Sequence, residues 1–148
     1  MKRGTLPPMP RAAILHINIS AGGVPKLPIL EAHVTELGIE GDAHNDFRHH
    51  GGPERALCLF ASERIADIAA EGHPITPGAT GENITTVGLD WDSVVPGARL
   101  RLGADVLVEI TRYTTPCTTI RRAFSDGKFV RMLHDEHPGF SRAYARII

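Results

Sequence analysis

Fifteen glycines are spread through the 148-residue chain between short apolar runs, and three prolines fall within the first ten residues. Glycine and proline mark turns, and apolar runs this short suit strands better than helices. The spacing therefore predicts many short strands joined by turns, in place of a helical bundle. A chain of this length fits one domain that buries about two-thirds of its unfolded surface.

The apolar runs predict about six to eight strands and two or three helices. Strand patterns lie at 12–19, 32–37, 55–61, 84–87, 99–102, 106–112 and 142–148. The clearest helix starts with Ser62 as its N-cap and ends before Gly72, and a weaker helical pattern follows Cys117. The expected fold is mainly β with a few helices (α+β), built as a partly closed β-barrel.

Residues 1–11 lack the apolar segment of a secretion signal, so we expect a flexible arm before a domain at 12–148. Sixteen basic and seventeen acidic side chains give a formal net charge of -1, which argues against a nucleic-acid partner. No run approaches the roughly 18 to 20 apolar residues of a membrane span. Two cysteines without a CxxC pair fit a reducing compartment, and we expect a cytoplasmic protein.

Residues 41–53 form a polar, histidine-rich segment that is longer than most connections inside a compact domain, and such segments tend to be functional or mobile. Imidazole and carboxylate groups from it could bind a metal ion, which makes a metal hydrolase one hypothesis. The candidates are His44, His49, His50, Asp42 and Asp46. A second pair, His134 and His137, has helical spacing, but Pro138 disfavours a helix there. A solvated polar loop explains the same pattern.

Cys117 follows a strand pattern and Pro116, and Arg121 and Arg122 come about one helical turn later. The thiolate is the reactive form of cysteine, and it is favoured at a helix N-terminus and near cationic side chains. Free cysteine is also among the most buried residue types, so a small core residue is the alternative. For Cys58, in the middle of an apolar run, we expect the core.

Residues 78–83 (GATGEN) lack the lysine and the glycine spacing of nucleotide-binding motifs, which makes nucleoside triphosphates poor candidates. The glycines would let backbone amides approach an anion, and Asn83 could bond a heterocycle or, equally, cap backbone groups in a turn. Only the fold decides which cations converge on a phosphate. The candidates are Lys26, Arg48, Arg55, Arg112, Arg121 and Arg122.

Four motifs occur in order along the chain, at residues 38–42 (GIEGD), 50–56 (HGGPERA), 77–84 (PGATGENI) and 116–117 (PC). Together they resemble the MOSC family, named for the C-terminal domain of molybdenum cofactor sulfurases, and the likeness spans about residues 12–148. The resemblance implies a small stand-alone member with a MOSC-type, pyruvate-kinase-barrel-like β-barrel. It also implies a role around the molybdenum cofactor (molybdopterin), a pterin that bears a dithiolene and a phosphate.

The cysteine of the family aligns with Cys117, which the resemblance makes the catalytic residue and the metal ligand. Two roles follow from it: a molybdenum ligand in an enzyme that reduces N-hydroxylated compounds, or a persulfide that carries sulfur. The residues expected to bind the cofactor are Arg48, His50, Arg55, Thr80, Gly81, Asn83, Arg112 and Arg121.

The sulfurases of the family carry a pyridoxal-phosphate domain, and many of its reductases carry further modules, neither of which this sequence shows. We therefore expect no pyridoxal phosphate on this chain. A minimal module of this kind would depend on an electron-donor protein or on a cysteine desulfurase-like sulfur donor. Delivery of cofactor or sulfur without turnover is the alternative.

Overall fold

The structure, a computed structural model, describes residues 12–43 and 52–148. Nine strands and one α-helix (α1, Ser62–Ala70) form in these ranges, with short 3-10 turns at Pro53–Arg55, Trp91–Ser93, Thr118–Ala123 and Phe129–Met132. The strands are β1 (Ala13–Ile19), β2 (Leu27–Ile29), β3 (Val34–Thr35), β4 (Gly38–Ile39), β5 (Leu57–Ala61), β6 (Ile84–Val87), β7 (Arg99–Leu102), β8 (Val106–Tyr113) and β9 (Ala143–Ile147).

Seven of the strands make one curled sheet in the order β2-β1-β6-β5-β9-β8-β7, and β3 pairs with β4 in a separate small hairpin. Neighbours in the large sheet are antiparallel except β5 and β6, which are parallel and are connected through α1. The sheet is a half-barrel, which confirms the prediction of a mainly β, partly closed barrel.

Most predicted elements are present, but their details differ. The helix begins at Ser62 as expected, yet its N-cap is Ala61, and the Ser62 hydroxyl donates to the Glu63 carboxylate at 3.4 Å. The helical pattern after Cys117 forms only 3-10 turns. The strand predicted at 32–37 is the two-residue β3, because the chain turns back at once into β4.

The core lies between α1 and the centre of the sheet. All five residues of β5 are buried, and Ile65 and Ile68 pack against them from the inner face of α1. Phe60 meets Trp91 edge to face, with ring centroids 6.0 Å apart. Cys58 is 6% exposed, which confirms that it belongs to the core.

A buried ion pair joins two of the family motifs to the sheet. The Lys26 ammonium donates to Asp42 Oδ1 at 2.6 Å, and the Ser20 amide donates to the same oxygen at 3.0 Å. Asn83 Nδ2 donates to Asp42 Oδ2 at 2.8 Å. Asn83 also bonds to both backbone groups of Cys58. Its side-chain Oδ1 accepts from the Cys58 backbone amide at 3.0 Å, and its backbone amide donates to the Cys58 carbonyl at 2.7 Å. These bonds fix the start of β5 against the 77–84 motif.

Glu82 lies next to this network and is fully buried. Its carboxylate accepts from the Gly78 amide at 3.0 Å and from the Thr85 hydroxyl at 3.3 Å. Burial raises the pKa of Glu82 to about 7, although these hydrogen bonds and the nearby Arg142 charge act in the opposite direction. The side chain therefore takes up a proton within the physiological pH range.

Gly78 is a position in this motif where the fold requires glycine. Its φ is +84°, and a Cβ there would collide with the backbone carbonyl of Lys26. The same two residues are hydrogen bonded, since the Lys26 amide donates to the Gly78 carbonyl at 2.9 Å. The close approach is what holds Lys26 in place for its ion pair.

We expect the free energy of unfolding to fall as pH rises from about 4.5 to 7, because the folded state holds the Glu82 proton to higher pH than the unfolded chain does. This group alone costs on the order of 3 kcal/mol above that window. Glu82→Gln should remove this part of the pH dependence and raise stability above pH 7. Urea titrations at several pH values measure it, with the exposed Glu36→Gln as control; parallel pH profiles for wild type and Glu82→Gln would contradict it.

We expect Gly78→Ala to lower the free energy of unfolding more than Gly97→Ala does, with a difference between the two variants of at least about 2 kcal/mol. The two glycines have similar φ angles, +84° and +93°, but only the added Cβ at 78 meets a neighbour within 4 Å. The difference between the two variants therefore isolates the close approach from the cost of the backbone angle. Thermal and denaturant unfolding of the pair measure it, and equal losses would refute the steric explanation.

Candidate functional site

A surface cleft of about 360 Å³ opens where β8 ends and β9 begins, beside the 3-10 turn that precedes β5. Among the described residues, its lining consists of Arg55, Arg112, Tyr113, Thr115, Pro116, Cys117 and Tyr144. The cleft thus brings together the predicted reactive cysteine and two of the predicted cofactor-binding arginines, which are far apart in sequence.

The strand register explains how part of the cleft is built. Tyr144 of β9 lies opposite Cys58 of β5 on one side and opposite Arg112 of β8 on the other. Directly opposed residues in antiparallel strands place their side chains on the same face of the sheet. Cys58, Tyr144 and Arg112 therefore form a row, in which the thiol of Cys58 is buried while the other two side chains reach the cleft.

Arg55 enters the cleft from the other direction. It ends the 3-10 turn Pro53–Arg55, and its guanidinium carbon lies 5.6 Å from the centroid of the Tyr144 ring, over its face. A guanidinium over an aromatic ring is held by the quadrupole of the ring. With Arg112 on the adjacent strand, Arg55 gives the cleft two fixed positive charges, an arrangement suited to an anionic ligand.

Tyr144 keeps its proton under physiological conditions. Burial raises the pKa of its phenol to about 12, and the nearby Cys58 side chain contributes in the same direction. Burial likewise raises the pKa of the Cys58 thiol, which stays protonated. Cys58 and Tyr144 are therefore both neutral, and the hydroxyl of Tyr144 can donate a hydrogen bond.

Cys117 lies at the rim of the cleft and is partly exposed. Its backbone is extended, and its carbonyl accepts from the Ile120 amide at 3.2 Å as the 3-10 turn begins. The Sγ atom lies 2.9 Å from the Thr119 hydroxyl oxygen. The Cys117 side chain is therefore open to reagents.

Tyr113 forms the adjoining wall, and His134 stacks on it. The two ring centroids are 3.7 Å apart and the planes differ by 11°. The Gly139 amide donates to His134 Nδ1 at 3.5 Å. His134 therefore supports an aromatic wall of the cleft.

The described part of the chain contains no group of three or more histidine, cysteine or acidic side chains arranged to hold a metal ion.

The other predicted cofactor residues lie elsewhere. Asn83 is buried and bonded within the Asp42 network, and the Thr80 carbonyl accepts from the buried Arg142 guanidinium. Gly81 packs close to Val24. Arg121 is exposed on the turn Thr118–Ala123, outside the described lining of the cleft. A cofactor role for Thr80, Gly81, Asn83 and Arg121 stays a prediction.

Part of the prediction falls on residues that the structure does not describe. Arg48 and His50, with the other loop candidates His44, His49 and Asp46, lie outside the described residues. Four residues of the cleft lining were not among the predicted site residues: Tyr113, Thr115, Pro116 and Tyr144. Tyr113 directly follows the strand predicted at 106–112 and precedes the Thr-Thr-Pro-Cys segment, a signal that could have placed it beside Cys117.

The model of the MOSC domain matches residues 46–148, which includes every described residue of the cleft. The chain belongs to the MOSC family. This confirms the resemblance found in the four ordered motifs.

Named proteins with similar sequences and structures were also found. Protein YiiM of Escherichia coli is 31% identical over 109 residues, which cover 71% of this MOSC chain and 48% of YiiM. A protein of Gibberella moniliformis named "Reductase" is 34% identical over 91 residues, 59% of this chain and 16% of that protein. The crystal structure of Escherichia coli YiiM superposes with a TM-score of 0.68 at 24% identity, over 94% of this chain and 63% of that one. The MOSC chain thus spans about half the length of YiiM.

In the described ranges, no helix has both the length and the apolar character needed to cross a bilayer.

We expect iodoacetamide to modify Cys117 in the native MOSC protein and to leave Cys58 unmodified until the protein is unfolded. Cys117 is open to reagent, whereas the thiol of Cys58 is buried and protonated. The two rates should differ by at least about a hundredfold under native conditions. Peptide mass spectrometry with and without urea measures both sites, and comparable native rates would contradict the burial of Cys58.

Proposed function

We propose that this MOSC protein binds a molybdenum cofactor in the cleft, with Cys117 as the thiolate ligand of the metal. The observation that supports this proposal is the presence of a partly exposed thiol and two guanidinium groups, those of Arg55 and Arg112, in the lining of one cleft. Thiolate is a ligand that soft metal centres accept, and guanidinium groups bind phosphate in a bidentate manner.

The donor set fits the chemistry of the cofactor. The cofactor is anionic and bears a phosphate, a sulfur-rich metal-binding unit and a flat heterocycle. Arg55 and Arg112 supply positive charge, Tyr144 supplies a hydroxyl that keeps its proton, and the Tyr113 ring supplies an apolar wall. A cleft of about 360 Å³ lies within the size range of small-molecule sites.

Each residue has a separate task in this proposal. Arg55 and Arg112 attract and orient the anionic ligand, and Arg55 is itself held over the Tyr144 ring. Cys117 would hold the metal as a thiolate, and the Thr119 hydroxyl, 2.9 Å from Sγ, would donate to that thiolate. The chemistry that the bound cofactor would supply is two-electron reduction.

We infer that N-hydroxylated compounds are the substrate class, with electrons supplied by a separate donor protein. The family resemblance and the fungal relative named "Reductase" support this inference, although the alignment covers only 16% of that relative. In this reaction the N–O bond of the substrate breaks, two electrons and two protons enter, and water leaves. The donor protein supplies the electrons.

A second candidate is sulfur transfer through a persulfide on Cys117, which the partial exposure of its side chain favours. A cysteine desulfurase-like donor would load the outer sulfur. An acceptor thiolate would then attack that sulfur, the S–S bond would break, and Cys117 would leave as a thiolate. Delivery of cofactor without turnover uses the same cleft, whereas the metal-hydrolase hypothesis rests on histidines outside the described residues and stays a prediction.

We expect protein purified from a host that makes the molybdenum cofactor to contain near-stoichiometric molybdenum and pterin, and Cys117→Ala to lose the molybdenum. Arg112→Gln should retain less pterin, because one of the two positive charges of the cleft is gone. Elemental analysis and the fluorescence of the oxidised pterin measure the two components.

Cys58→Ala is the matched control, since it removes a cysteine that is buried outside the cleft lining. It should keep both components and a wild-type circular dichroism spectrum. Molybdenum retained in full by Cys117→Ala would overturn the ligand assignment. Wild-type protein without molybdenum or pterin, but with a mass 32 Da higher at Cys117 that is lost on reduction, would replace it with the persulfide role.

A further inference from the structure

We propose that Thr111 is a positioning residue for the cleft. It is the extra residue of a β-bulge that brings Arg112 opposite Tyr144, and its hydroxyl holds the turn that carries Arg55. Thr111 itself is not part of the cleft lining among the described residues. The proposal rests on the cleft being a site for an anionic ligand, and it does not depend on which anion binds.

The bulge is visible in the register of β8 against β9. Ile110 lies opposite Ala145 and Arg112 lies opposite Tyr144, so two residues of β8 advance while β9 advances by one. Thr111 is the residue without a place in the ladder. If the two strands paired regularly, with no bulge, Thr111 would lie opposite Tyr144 and Arg112 would point to the other face of the sheet. The bulge therefore decides which side chain joins Tyr144 in the cleft.

The side chain of Thr111 makes a second connection. Its hydroxyl donates to the backbone carbonyl of Glu54 at 2.6 Å, across 57 residues of sequence. Glu54 is the middle residue of the turn Pro53–Arg55, and the Arg55 amide closes that turn by donating to the Gly52 carbonyl at 3.0 Å. The hydroxyl of Thr111 thus ties β8 to the residue immediately before Arg55.

Thr111 therefore affects the position of both charged groups of the cleft. The backbone of Thr111 determines the face on which Arg112 lies, and its hydroxyl holds the turn that carries Arg55, whose guanidinium lies over the Tyr144 ring. Bulges are common beside functional sites because they redirect side chains in this way. Two guanidinium groups act together on one anion only if their separation is fixed, since the cost of ordering long side chains otherwise offsets the gain.

The test compares two alkylating reagents at Cys117 in the cofactor-free protein. Iodoacetate is an anion and iodoacetamide is neutral, and each forms a carbon–sulfur bond with the Cys117 thiolate as iodide leaves. Both would react with the same thiolate, so the ratio of the two rates reports the positive potential in the cleft and is insensitive to the fraction of thiolate. Peptide mass spectrometry at low ionic strength follows both reactions.

Arg55→Gln should lower the ratio of the iodoacetate rate to the iodoacetamide rate by about threefold, which is what loss of one charge several ångströms away produces in a solvated cleft. Thr111→Val removes the hydroxyl with little change of shape, and we expect it to lower the ratio by about twofold or more. Thr111→Ser keeps the hydroxyl and should restore the wild-type ratio. If Thr111 had a purely structural role, Thr111→Val and Thr111→Ser would both show the wild-type ratio.

The matched control is Thr86→Val, the same substitution on β6 of the same sheet. The Thr86 hydroxyl has no hydrogen-bond partner among the described residues, so its removal should leave the ratio unchanged. If Thr111→Val does not fold, Thr111→Ala removes the same hydroxyl and is read in the same way. A wild-type ratio in a folded Thr111→Val or Thr111→Ala protein would overturn the proposal, and so would a wild-type ratio in Arg55→Gln.

These outcomes are separate from those of the cofactor experiment. A cleft that holds no molybdenum can still show the charge effect of Thr111, and a molybdenum-binding protein can still lack it. The rate ratio therefore tests the positioning role alone.

Discussion

The buried ion pair between Lys26 and Asp42 is the interaction on which the rest of this fold depends. Both side chains are almost inaccessible to water, at 8% and 1% exposure. A buried charge that loses its partner is strongly destabilising, so neither residue can be changed alone without a large penalty. Because Asn83 binds both Asp42 and the backbone of Cys58, the ion pair also determines where β5 begins. The 38–42 and 77–84 motifs are thereby explained as structural elements of the sheet.

The cleft shows how this scaffold supports a charged ligand. Its cations are guanidinium groups, which stay charged in proteins, and burial raises the pKa of Tyr144 in the same lining to about 12. A ligand would therefore meet two guanidinium groups together with the partly exposed side chain of Cys117.

The sequence allowed the fold class, the family and most strands to be predicted, because alternation, glycine spacing and the four motifs are local signals. It also identified Cys117, Arg55 and Arg112, but as members of a larger set. The sequence could not show which of these side chains meet in one cleft. The proximity of Arg55 to Arg112 depends on β9 pairing with both β5 and β8, and on a single bulge that shifts the register by one residue. Likewise, Asn83 had two plausible roles, and only long-range contacts show that its side chain is bonded within the core.

The position of β9 has a consequence for how the protein is made. This strand lies between β5 and β8, so the sheet consists of one block of four strands and one block of two until residues 143–147 are in place. A nascent chain emerges from the ribosome N-terminus first, and pairings between segments far apart in sequence form slowly. During synthesis the edges of β5 and β8 therefore stay unpaired until that strand emerges. Assembly of the cleft, which needs Tyr144 from the same strand, therefore has to wait until β9 joins the two blocks.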